Sequence, residues 1–152
     1  MSITKELLSG ATTLLLSLFI SSQGSAQDEV AQKRRILMEQ ENDAAVTALV
    51  KAIKEKNFTE VELKAKAIVA NMDKVLDLFP KGSLSEKSRA KAEIWEKWDE
   101  FTKQNDAVKK AAQALADAAK AKDDEGVSTK MKALGDSCTS CHRNFRGPRK
   151  SG

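Results

Sequence analysis

Near its C-terminal end the chain reads Cys138-Thr139-Ser140-Cys141-His142, and no other stretch constrains the fold as much. C-x-x-C-H is the attachment pattern of haem c: two thiols form thioethers to the porphyrin and the imidazole binds the iron from one side. On a helix, Cys138, Cys141 and His142 stand at i, i+3 and i+4 and project from one face. The chain has two cysteines and one histidine in all. A structural zinc site wants four N/S ligands, a redox dithiol belongs near a βαβ pattern that is absent, and a disulfide across two residues closes too small a loop to stabilise much. One covalent haem c with its iron, held by Cys138 and Cys141 and ligated by His142, is the expectation.

The N-terminus reads as an export signal. Lys5 is followed by the apolar run Leu14-Leu15-Leu16-Ser17-Leu18-Phe19-Ile20, too short to span a bilayer, and Gly24 and Ala26 are small residues at −3 and −1 of a cleavage site. Cleavage after Ala26 makes residues 1–26 a signal peptide and leaves residues 27–152 as about one domain. The expected location is the periplasm, with no membrane span in the mature chain. A formal charge of +4 with aromatics at only 5% does not build the basic, aromatic-lined groove that nucleic-acid binding needs.

The region after Ala26 is rich in Ala, Lys, Glu, Leu and Asp, a helical composition. A first segment, 28–56, carries the stripe Val30, Leu37/Met38, Ala45, Leu49, Ile53; it weakens where polar Glu41 and Asn42 interrupt it. A second opens at Thr59, with Glu62 completing a capping box, and carries Val61, Ala65, Ile68, Met72, Val75 and Phe79 before Pro80-Lys81-Gly82 stops it. A third has a box at Ser83 and Glu86, or starts a few residues later, and carries Ile94/Trp95, Trp98, Phe101, Val108, Leu115 and Ala119. The fourth follows a polar break with Asp123 or Asp124 as N-cap. It reads Val127, Met131, Leu134, Cys138, Cys141/His142, Phe145, and ends at Gly147-Pro148 with Gly as a C′ residue. Four amphipathic helices with short connections predict an all-α, antiparallel four-helix bundle. Because the motif lies in the fourth stripe, the haem belongs inside the bundle.

These features together resemble the cytochrome c-prime family, the class II c-type cytochromes, a standing example of the bundle architecture. The resemblance rests on Leu78-Phe79-Pro80, Ile94-Trp95, Phe101, the ending Cys138–His142 with Arg143-Asn144-Phe145-Arg146, and Gln32-Lys33-Arg34-Arg35-Ile36-Leu37-Met38 in the first helix. It implies that the first helix crosses the open side of the iron, with an Arg near a haem propionate one turn before the distal residue. If Arg34 is that Arg, Met38 is the distal residue, and counting back from Phe58 gives the same register. A one-residue slip would use Lys33 and Leu37, and a Lys suits a carboxylate less well than a forked guanidinium. Arg146 is a second candidate propionate partner.

With Met38 as sixth ligand, the resemblance implies a low-spin electron carrier, not an enzyme; a thioether ligand raises the potential. The alternative is a five-coordinate, high-spin c-prime type protein that binds nitric oxide or carbon monoxide. A thiol–disulfide enzyme using Cys138 and Cys141 is the third reading. Redox partner proteins are expected, docked at a basic end made by Lys130, Lys132, Arg143, Arg146, Arg149 and Lys150. The resemblance also allows a homodimer through helices one and two.

Overall fold

The computed structural model describes residues 18–148. The basic pair Arg149 and Lys150 and most of the expected signal peptide lie outside the described residues. The described residues build four helical rods. The first is α1 (Leu18–Arg35), a π-helical segment (Ile36–Asn42) and α2 (Asp43–Lys54), with helical backbone angles at both joints. The second is α3 (Phe58–Val75), finished by a 3-10 turn at Leu76–Leu78. A loop and the one-turn α4 (Glu93–Glu96) lead to the third, α5 (Trp98–Lys120), and the fourth is α6 (Asp124–Phe145). Packing runs α2 on α3, α3 on α5 and α5 on α6; tight turns join α2 to α3 and α5 to α6, and the longer loop with α4 joins α3 to α5. The chain folds as an antiparallel four-helix bundle, as its hydrophobic periodicity predicts.

The apolar stripes meet in one core. Leu49, Val61, Leu115, Val127 and Leu134 are almost completely buried. At about 25 cal/mol per Å² of apolar surface removed from water, each contributes roughly 1.5–3 kcal/mol. Trp98 departs from its stripe and is partly exposed, at 37%.

Several helix ends differ from expectation. The α3 cap is Asn57, whose side chain accepts from the Glu60 amide, so the Thr59–Glu62 box is not used; Lys56 at φ 53 turns the chain first. Ser83 caps nothing and is buried. Its hydroxyl and carbonyl accept from Arg34, and the third rod begins only at residue 93. Gly147 is not in the left-handed region. Arg146 is extended and pairs with Ala90 as an isolated bridge, while the Gly147 amide donates to the Arg89 carbonyl at 2.7 Å.

The N-cap of the motif-bearing helix is as expected. Asp123 Oδ1 accepts from the Gly126 amide at 2.9 Å. A Cβ at residue 126 would sit 2.0 Å from Asp123 Oδ2, so the cap needs glycine there. Asp123→Ala is expected to cost about 1 kcal/mol, read as a lower urea midpoint with unchanged slope.

Candidate haem-binding site

The site is built on the last two turns of α6. Cys138, Cys141 and His142 share the half-buried face that the 3.6-residue period predicts. Both thiols are free. Burial pushes the Cys138 thiol up and, with help from the neighbouring Cys138, pushes Cys141 to about 11. Burial and the cations Arg146 and Arg89 lower His142, against an opposing pull from Asp43. The imidazole is therefore neutral at pH 7, the state in which it can donate a nitrogen lone pair to a metal.

Cys141, His142, Phe145 and Arg146 form one wall of a cleft that also takes in Arg34 and Met38. It encloses about 150 Å³ of space that water could occupy, and about 880 Å³ with its open mouth included. Met72, Val75, Phe79, Ile94 and Phe101 make its floor apolar. Cys138, one turn earlier, packs against the core and is not among the lining residues.

The two helix-one registers separate here. Met38 is half-buried and lines the cleft, whereas Leu37 is only 4% exposed and belongs to the core. Lys33 is exposed and ion-paired to Glu29 at 2.8 Å. Arg34 is 5% exposed. Its Nε donates to the Leu78 carbonyl, its Nη2 to the Ser83 carbonyl at 3.0 Å and to the Ser83 hydroxyl. The guanidinium carbon lies 4.3 Å from the Phe79 ring centre and 5.7 Å from that of Trp95, within cation–π range. Burial lowers the Arg34 pKa to about 10, so it stays charged.

One donor is left over. Arg34 Nη1 is buried without a hydrogen-bond partner, which costs free energy unless an acceptor arrives. A haem carries two carboxylates on an apolar disc. An apolar cleft, two thiols and a neutral imidazole on one helix face, and an unmatched buried guanidinium donor together fit it. Among the described residues no group of three or more His, Cys, Asp and Glu converges on a metal-sized point, so the donors present do not make a closed zinc site.

The model of the cytochrome c' family matches residues 22–146. The chain belongs to the cytochrome c' family. As in that family, one haem c is bound covalently through the cysteine pair. A cytochrome c' of Pararhodospirillum photometricum is 42% identical over 105 residues, covering 67% of this chain and 82% of that protein. A cytochrome c' solved with a ligand-controlled dimer dissociation superposes with a TM-score of 0.73 at 24% identity, covering 80% of this chain and 97% of that one. The nitric oxide complex of a leucine-to-alanine mutant of the Alcaligenes xylosoxidans cytochrome c prime superposes at 0.73 and 17% identity, covering 81% and 97%. Both superpositions show the fold.

Among the cleft residues that escaped the sequence reading are Ser88 and Arg89 in the loop before α4, and Asn105. Asn105 could have been found. It falls at helical spacing between Phe101 and Val108, a polar residue inside an apolar stripe, and it is 4% exposed with Oδ1 unpartnered. No pattern marks Arg89. Arg146 lines the cleft on an exposed position, and no helix among the described residues is long and apolar enough to cross a membrane.

Proposed function

We propose that this chain is a periplasmic haem protein of the c-prime type, with Cys138 and Cys141 as the thioether anchors, His142 as the proximal ligand, and nitric oxide or carbon monoxide taken up on the opposite side. The observation that carries this reading is the state of Met38. It is the residue in register to face the iron, yet its sulfur already accepts a hydrogen bond from Asn42 Nδ2 at 3.6 Å. Haem would supply an iron that binds diatomic ligands and changes oxidation state by one electron. Cys138 and Cys141 would hold the group, Met72, Val75, Phe79, Ile94 and Phe101 would keep water from it, and Arg34, with Arg146 at the rim, would offset propionate charge. Membership of the cytochrome c' family supports the reading.

A second reading has its own observation. Met38 lines the cleft and Leu37 does not, which supports a Met38 thioether as sixth ligand and an electron carrier. Cationic Arg89, Arg35 and Arg146 on the same cleft would then steer an acidic redox partner, while Lys87 is paired to Asp28; a homodimer is compatible with either reading.

One pair of spectra separates them. The natural chain is expected to be high-spin as ferric protein at neutral pH and to respond to carbon monoxide when reduced, with Met38→Leu leaving the spin state unchanged. A low-spin spectrum in both oxidation states, lost on Met38→Leu, would overturn the gas-binding reading in favour of electron transfer.

A further inference from the structure

Seven residues of the first rod, Ile36–Asn42, are wound as a π-helix, and the Asp43 amide reaches back five residues to the Met38 carbonyl. Such segments are rare and concentrate at functional sites. Here the wide turn surrounds the residue that faces the cleft. Within it Asn42 Nδ2 donates to Met38 Sδ at 3.6 Å. Asn42 is not among the cleft-lining residues, so the bond ties the sulfur to a point outside the cleft.

The orientation of the Asn42 amide is set from behind. Asn42 Oδ1 accepts from Asn71 Nδ2 at 3.1 Å, so its NH₂ is the end left for the sulfur. Asn71 is 7% exposed on α3, and its own Oδ1 accepts from Lys74 Nζ at 3.5 Å. An ammonium can only donate. The relay therefore has one polarity, Lys74 to Asn71 to Asn42 to Met38.

We propose that Asn42, oriented by Asn71, is a latch on Met38: it holds the thioether sulfur back from the iron and thereby keeps the sixth position open to a diatomic ligand. Asn42 is a positioning residue that acts through Met38. The inference rests on the gas-binding reading above and names what makes that reading hold in a chain with a methionine in the distal register. Thioether sulfur is a weak acceptor, and one net hydrogen bond is worth about two- to ten-fold in an equilibrium. Releasing the latch should therefore move the balance by that order.

The test uses haem-loaded protein with Asn42→Ala, Met38→Leu and the two together, read by ferric spin state and by carbon monoxide affinity of the ferrous form. Asn42→Ala is expected to shift part of the ferric population to low spin and to weaken carbon monoxide binding about two- to ten-fold. Adding Met38→Leu should erase both effects, a result that a merely structural role for Asn42 would not give. A high-spin natural chain that binds carbon monoxide, with Asn42→Ala changing neither readout, overturns the latch and leaves the gas-binding reading standing. An Asn42→Ala effect of equal size with Met38→Leu present also overturns it. A natural chain that is already low-spin through Met38 overturns the gas-binding reading and the latch together, because a sulfur on the iron is not held back.

Discussion

Replacing Cys138 and Cys141 together by alanine is expected to leave no haem on the chain after extraction with acidified organic solvent, and to lower the stability of the bundle. The two thiols are the covalent anchors, but the larger consequence is in the core. The cleft lies among Met72, Val75, Ile94, Phe101 and Phe145, residues that also supply the middle of the bundle. At about 24 cal/mol per Å³ of residual cavity, 150 Å³ of space left wholly dry would cost roughly 3–4 kcal/mol, an upper bound because water enters through the open mouth. That is a large share of the ~5–15 kcal/mol by which a domain is stable. Urea unfolding followed by far-ultraviolet circular dichroism should show a midpoint lowered accordingly. A haem that survives extraction, or an unchanged midpoint, would show that the anchors or the core role are assigned wrongly.

The bundle was legible because burial follows the 3.6-residue period wherever a helix is straight. Val61, Ala65, Ile68, Met72 and Val75 on α3, and Val127, Leu134 and Phe145 on α6, are buried as their spacing predicts. Cys141 and His142 reach the cleft for the same reason. What the pattern could not carry is chain that departs from that period. The polar interruption at Glu41 and Asn42 was visible, but a π-helix advances the register by an amount that no apolar repeat of seven residues reports. That Met38 and not Leu37 takes the cleft side was legible from the spacing to Arg34 and to Phe58; the wide turn that carries Met38 there is visible only in the fold.

The helix ends illustrate a different limit. Asn57 and Thr59 are both good N-cap residues, and local chemistry does not choose between them. The choice is made by Lys56, which takes the left-handed backbone at φ 53, a place more often held by glycine. Lys122 does the same before Asp123, at φ 55. The loop from Phe79 to Ala92 was opaque for a third reason: its conformation is imposed from outside. Gln27 donates to the Gly82 carbonyl, Asp28 accepts from Ser85, Arg34 reaches Ser83, and Lys91 Nζ donates to the Asn144 carbonyl at 3.0 Å. These partners are about 50 residues away in sequence. A short-range code read Ser83 as a cap because nothing nearby shows that it serves a buried guanidinium.

That guanidinium gives the second large effect. Arg34→Ala is expected to destabilise the haem-loaded protein by about 2–4 kcal/mol, since three acceptors on Leu78 and Ser83 lose a charged donor and the stack on Phe79 and Trp95 is lost. The sign of the comparison with haem-free chain is the sharper part. Burying Arg34 penalises its charge, as its lowered pKa shows, and Nη1 has no acceptor within the protein. If a haem propionate takes that donor, the guanidinium is fully matched only when haem is present. Arg34→Ala should then cost less in chain that also carries the two cysteine substitutions than in haem-loaded protein, because the mutation there removes an unmatched donor along with the bonds. Arg34→Lys should fall between, with one ammonium unable to reach the loop carbonyls and a propionate in the fork geometry of arginine. Paired urea midpoints for the four chains measure the coupling. Equal losses with and without haem would assign Arg34 wholly to the loop and leave the propionate to another cation.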